Sequence, residues 1–180
     1  MKTFANILMP ALCVMMLGGA ADAQSTKLRK LGTQNDALAW QSVGRLDIGR
    51  SGYCTGTLIA PDLVLTAAHC VYQNGKLVTP ENMTFRAGLT NGTAAAKRVV
   101  SQIEAHVGYT PNRGYDLDNV RHDLALVRLS DPIPTHELNP FAVFSSAIPK
   151  GPVSVVSYGR GRSDALSRLY QSQVMGMRNR

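Results

Sequence analysis

The sequence predicts an all-β protein, a barrel or sandwich of short antiparallel strands, and three observations predict it. Apolar and polar residues alternate in eight short runs separated by turn residues. No long segment holds a helical period. At 44% apolar residues the chain has enough side chain to bury a core, which excludes a disordered or low-complexity polymer. Only 17% of residues are charged, against the usual ~25%, so the surface leans on Ser, Thr, Asn and Gln, as in exported β-rich proteins.

The first element is a targeting segment, residues 1–23. Lys2 supplies the positive start, Ile7 to Gly19 is almost wholly apolar, and Ala21-Asp22-Ala23 has the small-x-small pattern of a signal peptidase site. A membrane anchor needs about 20 apolar residues, and Asn6, Pro10 and Asp22 bracket or interrupt a shorter run. Cys13 lies inside that run behind Leu12, where a lipoprotein signal has a small residue, and is expected to leave with the signal. Export and cleavage yield a secreted chain, extracellular or periplasmic, that starts at Gln24 and retains no membrane attachment.

Residues 24–41 form an N-terminal segment. The strands expected next are Val43 to Leu46, Tyr53 to Ile59, Leu63 to Thr66, Thr84 to Ala87, Arg98 to Ile103 and Leu124 to Leu129, a β unit spanning 42–131. Five of the nine prolines fall within 132–152, which reads as a linker. Beyond it, 153–180 offers two more strands, Val153 to Tyr158 and Leu169 to Met175, too few to close a barrel alone.

Net charge is +7 and is unchanged by signal removal, since one base and one acid leave together. The bases sit in twos and threes, at Lys27/Arg29/Lys30, Lys97/Arg98, Arg160/Arg162 and Arg178/Arg180, with no interleaved aromatics. They read as a solvated surface rather than a nucleic-acid site. Cys54 and Cys70 are the two thiols left after cleavage, and in an oxidising compartment they are expected to pair. Closing that loop contributes about 3 kcal/mol in the chain-entropy model. No metal or other cofactor is expected, because His69 is the only adjacent donor and no second ligand pair follows at metal spacing.

The chemistry centres on Leu65-Thr66-Ala67-Ala68-His69-Cys70, preceded by Cys54-Thr55-Gly56-Thr57-Leu58-Ile59. A catalytic imidazole must face a nucleophile with one nitrogen while the other donates to an ordered carboxylate. Small Ala67 and Ala68 permit a tight turn at the strand end, and a Cys54–Cys70 bridge would clamp the residue beside His69. Asp123, opening the apolar run Leu124-Ala-Leu-Val-Arg-Leu129, is the candidate carboxylate.

These segments resemble the chymotrypsin/trypsin-like serine peptidases, most closely the secreted bacterial members, from about Trp40 to the end of the chain. Val156-Ser-Tyr-Gly159 matches loosely the Gly-Trp-Gly segment that often begins the second barrel of that family. The resemblance implies a double-barrel trypsin-like fold, of which this chain holds the first barrel and the start of the second. It implies an endopeptidase acting on protein or peptide substrates, with His69 as general base and Asp123 as its orienting carboxylate. A monomer without nucleic-acid partners is expected.

The departures are specific. The family's nucleophile lies roughly 90 residues after the Asp, in Gly-Asp-Ser-Gly-Gly. Only 57 residues follow Asp123, and none carries that pattern. Ser163, Ser167 and Ser172 lack the flanking glycines of a sharp turn and read as ordinary surface or strand serines. The chain is therefore expected to be truncated before the catalytic Ser and, alone, inactive. The Ile-Val-Gly-Gly activation terminus is absent as well.

Other histidines and acids read more plainly. His106 occupies a structural turn, His122 adjoins Asp123 without a cysteine clamp, His136 lies among the prolines, and Asp116 and Asp118 belong to a polar loop. The reading opposed to a peptidase is a non-catalytic homologue or fragment that binds a partner or polyanion through its basic surface.

Overall fold

A computed structural model describes residues 29–31, 33–50, 52–114, 116–144, 151–159 and 161–174. The expected signal peptide at 1–23, with Cys13 and the cleavage site, lies outside the described residues, as do 145–150 and Met175, the last residue of the final expected strand.

Six strands close an antiparallel barrel: β2 (Val43–Ile48), β3 (Gly52–Ala60), β4 (Leu63–Thr66), β7 (Met83–Ala87), β8 (Ala96–Ala105) and β9 (Ala125–Leu129), in the order β2-β3-β4-β9-β8-β7. Alternation decides what each contributes. In β7 the pattern puts Met83, Phe85 and Ala87 inside and leaves Thr84 and Arg86 on the outer face. Leu46, Leu58, Val64, Met83, Phe85, Val100 and Val127 are fully enclosed, each stabilising by about 1.5–3 kcal/mol relative to exposure.

Phe85 fits because its neighbours have no side chain. Gly44 and Gly56 face each other across β2 and β3. A Cβ on Gly44 would lie 2.3 Å from the Phe85 ring, and one on Gly56 would lie 2.6 Å from Val64 Cγ1. The Phe85 ring thus fixes the glycine on β2 and the Val64 methyl fixes the one on β3.

All eight expected strands exist; β4 keeps its expected ends and the others are shifted at one or both. The last differs most, running Arg162–Val174 (β11) as the return arm of a hairpin with β10 (Gly151–Gly159). Its polar start, Arg162-Ser-Asp, gives no apolar alternation; pairing to β10 creates it, across a turn where Gly161 takes φ +75°. Among the elements without a sequence signal are the short strand β1 (Arg29–Lys30), which pairs with β11, and helix α1 (Gln34–Leu38), capped by Thr33. The order β1-β11-β10 makes a three-stranded sheet. A two-stranded ribbon of β5 (Tyr72–Gln73) and β6 (Lys76–Leu77), a short helix α2 (Leu117–Val120) and 3₁₀ turns at Ala68–Val71 and Pro80–Asn82 complete the elements among the described residues.

Residues 132–144, expected as part of a linker, fold back on the barrel. The Ile133 amide donates to the Pro61 carbonyl and the Phe141 amide to that of Leu58. Ile133 and Leu138 are buried in the barrel core. Prolines end β9 without freeing the chain, because apolar side chains between them still have a core to reach.

The β10–β11 hairpin packs on the barrel through a second cluster of Leu31, Val43, Leu89, Tyr158 and Leu166, flanked by Trp40 and Phe141. Thr55 Oγ1 accepts the Tyr158 amide at 2.9 Å, the Tyr158 hydroxyl donates to the Leu89 carbonyl at 3.0 Å, and that of Tyr53 donates to the Gly159 carbonyl at 2.8 Å.

Candidate active site

Two segments of the barrel bring His69 and Asp123 together. β4 ends at Thr66, whose buried hydroxyl donates to the Thr55 carbonyl on β3 at 2.9 Å. The chain then makes one 3₁₀ turn, Ala68–Val71, in which Ala68, Cys70 and Val71 are buried. Those three inward positions leave His69 facing out, its side chain 60% exposed. Cys70 is bonded to Cys54 of β3, with the Cα atoms 6.1 Å apart, so the residue beside His69 is tied covalently to the barrel wall. The expected pairing is present.

Asp123 reaches the same place by a different construction. After α2, the amides of His122 and Asp123 donate to the carbonyls of Asn119 and Val120, and the chain turns into β9. Asn119 is buried and spans the loop: its Oδ1 accepts the Thr110 amide at 2.8 Å and its Nδ2 donates to the Thr110 carbonyl at 2.9 Å. This clamp had no recognisable sequence signal, since an Asn in a polar loop is ordinary.

Both carboxylate oxygens of Asp123 engage His69. Oδ1 accepts the His69 backbone amide at 2.8 Å, and Oδ2 lies 2.7 Å from the ring Nδ1. An ionised carboxylate only accepts, so Nδ1 carries the proton and Nε2 keeps a free lone pair. Backbone and ring are held by one group, which fixes ring orientation as well as tautomer. Beside them, Tyr109 packs against Tyr72 with ring centroids 5.8 Å apart. Burial first, then the negative charge of Asp123 and the presence of Tyr72, push the Tyr109 phenol above its usual pKa, so it stays neutral.

The competing residues lie elsewhere. His122 stacks on His106, centroids 4.8 Å apart, and His106 Nδ1 accepts the Gly108 amide at 3.1 Å. A Cβ on Gly108 would fall 2.8 Å from the His122 ring, so the glycine makes room for the stack. His136 is exposed. Asp116 caps α2 and pairs with Arg113, and Asp118 pairs with Arg121. The Ser163 carbonyl accepts from Arg45, and Ser167 is wholly enclosed in β11, where no substrate could reach its hydroxyl. The Ser172 side chain is outside the described residues. Donor atoms of Cys54, His69 and Cys70 lie within 4.8 Å of one another, but the disulfide leaves neither sulfur as the thiolate a metal would need.

Comparison with known proteins agrees with this construction. The family model Trypsin matches residues 31–180. Serine protease SP24D of Anopheles gambiae is 34% identical over 116 residues, covering 63% of this chain and 39% of that protein. Submandibular glandular kallikrein-9 of Rattus norvegicus is 30% identical over 134 residues, covering 70% of this chain and 48% of the relative. A solved structure of a Glu endopeptidase in complex with MPD shares the fold with TM-score 0.67 at 20% identity, over 86% of this chain and 71% of that one. The chain thus spans less than half the length of these two curated relatives. With an antiparallel six-stranded barrel, a disulfide-clamped histidine turn and a family match over most of its length, the chain belongs to the trypsin family.

Proposed function

We propose that the chain contributes the base and the orienting acid of a secreted serine endopeptidase. The observation that carries this is the double clasp of Asp123 on His69, which leaves Nε2 alone to take a proton. Nε2 accepts the hydroxyl proton as a serine oxygen attacks the scissile carbonyl, and returns it to the leaving amine; an acyl-enzyme remains, which water then hydrolyses by the same exchange. Asp123 holds Nδ1 as donor and stabilises the imidazolium while it lasts. The nucleophile is assigned to a Gly-Asp-Ser-Gly-Gly segment, which the 180 residues do not contain. Export follows the 1–23 signal, giving a chain that starts at Gln24.

The test compares the 180-residue chain with a version extended by that segment. The short chain should neither hydrolyse peptide or ester substrates nor react with a fluorophosphonate, and the extended one should do both. His69→Ala in the extended enzyme should lower turnover by ~10⁶. Stoichiometric labelling of a serine in the short chain, or full activity after His69→Ala, would overturn the proposal.

A further inference from the structure

Three bases far apart in the sequence, Arg45, Arg86 and Lys97, meet on one outer face of the barrel. Arg45 of β2 is the register partner of Arg86 of β7, and Arg86 is the partner of Lys97 of β8. Three bases thus stand side by side across three strands, where like charges directly opposite are destabilising. Asp47 answers two of them, its oxygens lying 2.6 Å from Arg45 Nε and 2.7 Å from Arg86 Nε. Arg45 is fixed further by donating to the Ser163 carbonyl at 2.9 Å and by lying 5.3 Å over the Tyr53 ring.

This face borders a depression of about 540 Å³ lined by Arg45, Arg50 and Arg86 together with Asp47, Tyr53 and Ser163. Asp47 is the only acid among its lining residues, so one carboxylate faces three guanidiniums. Two positive charges remain uncompensated in the recess; one terminal N–H of Arg45 is spent on the Ser163 carbonyl, while Arg86, paired with Asp47 at its Nε, offers its terminal N–H groups to another anion beside exposed Arg50. The cost of the like-charge row is offset once an anion binds.

The position of the recess decides which anion. Tyr53 adjoins Cys54, and His69 adjoins Cys70; with the cysteine Cα atoms 6.1 Å apart and consecutive Cα atoms ~3.8 Å apart, Tyr53 and His69 are at most about 14 Å apart. An extended peptide covers that in about four residues. We propose that the Arg45–Arg50–Arg86 recess binds acidic side chains of an extended peptide whose neighbouring residues lie against the exposed His69 ring. The inference rests on the peptidase reading for its account of why a peptide lies there.

The experiment reads binding without turnover. Fluorescein-labelled hexaglutamate and hexaglutamine are titrated with the whole chain at about 50 mM salt, where surface charge is little screened, and anisotropy is followed. Hexaglutamate should bind at least tenfold tighter. Arg50→Gln and Arg86→Gln should each weaken it by roughly tenfold, while Lys76→Gln on the β5–β6 ribbon should change nothing. Arg50 is exposed in the turn that follows β2, so its variant decides the matter if Arg86→Gln lowers the thermal midpoint. Equal binding of the two peptides, an unchanged affinity in Arg50→Gln, or an equal loss in Lys76→Gln overturns the recess, as does selective capture of heparin with no hexaglutamate binding. A chain that binds hexaglutamate yet stays silent when extended keeps the recess and removes the peptidase. An active extended enzyme whose kcat/KM on an acidic-tailed substrate is unmoved by Arg50→Gln does the reverse.

Discussion

The His69 turn and the β1-β11-β10 sheet are held to the same barrel by different means. Around His69, the restraints other than the Asp123 clasp are mostly short-range in sequence: β3 and β4 are joined by a two-residue turn, a disulfide spans 16 positions, and three of the four residues of the 3₁₀ turn are buried. The sheet is assembled from the two ends of the chain, Arg29 beside Arg168 and Lys30 beside Ser167, and meets the barrel through a few hydrogen bonds and one small apolar cluster. Local restraints that agree make a position rigid; distant partners make it conditional on everything between. A base that must hold its ring within a fraction of an ångström belongs in the first kind of region.

The largest effect should come from disturbing the one long-range restraint on the turn, the Asp123 clasp, which joins positions 54 residues apart. In the extended enzyme Asp123→Asn keeps size and hydrogen bonding but offers an amide to Nδ1, which favours the wrong tautomer. Turnover near neutral pH should fall by ~10⁴ with the thermal midpoint nearly unchanged. A fall below tenfold would show that the disulfide and buried alanines orient the ring unaided.

Removing the local clamp is the complementary change. Cys54→Ala with Cys70→Ala frees the barrel wall from the turn and should cost about 3 kcal/mol, lowering the unfolding midpoint by on the order of 10 °C. Trp40 is the only tryptophan and packs on Phe141 at 6.0 Å, beside the sheet. Its fluorescence should report the same midpoint as far-ultraviolet circular dichroism if barrel and sheet unfold together; two separate midpoints would make them independent units.

This contrast also explains what the sequence disclosed. The barrel strands were legible because alternation, turn residues and burial coincide within each hairpin, and the His69 turn because Ala67, Ala68 and the cysteine pair are local signs. β1 was illegible: Arg29 and Lys30 are exposed and polar, and only Arg168 and Ser167, far along the chain, make them a strand. The same held for the Asn119 clamp and for the Arg45–Arg86–Lys97 row, whose members lie on three strands and whose clustering is a matter of register. The folding back of 132–144 was hidden because proline density marks where strands stop but says nothing of where Ile133 and Leu138 go.

A smaller effect is expected where the sheet meets the barrel. The Tyr158 ring is buried and its hydroxyl donates to Leu89; burial, opposed by that hydrogen bond and by Arg45, raises the phenol pKa far above its usual value. Tyr158→Phe leaves the ring packed but the Leu89 carbonyl without its donor, at a cost of about 1–2 kcal/mol. Urea unfolding followed by Trp40 should show the loss as a lower midpoint with unchanged slope. No change would mean that solvent satisfies the Leu89 carbonyl and that the sheet is held by apolar contact alone.

The smallest effect lies at the edge of the sheet, where Lys30 of β1 pairs with Asp164 of β11 at 3.1 Å. The hydrogen bond from Lys30 leads the causes that hold the Asp164 carboxyl below its usual pKa. A depressed folded-state pKa stabilises the folded form above the unfolded value near 3.8, and that contribution is lost as pH falls through the still lower folded value. Both groups are well exposed, so salt and water screen the pair, and the change should be confined to the attachment of β1. The Leu31 amide, which donates to the Leu166 carbonyl at 2.9 Å, is its reporter. Its hydrogen-exchange protection factor, corrected for intrinsic rate, should hold steady from neutral pH down to about 4 and decline below, whereas Lys30→Ala should start lower and stay flat. A decline of equal size in the variant would place the acid sensitivity in another carboxylate and leave β1 held by its backbone pairing to β11.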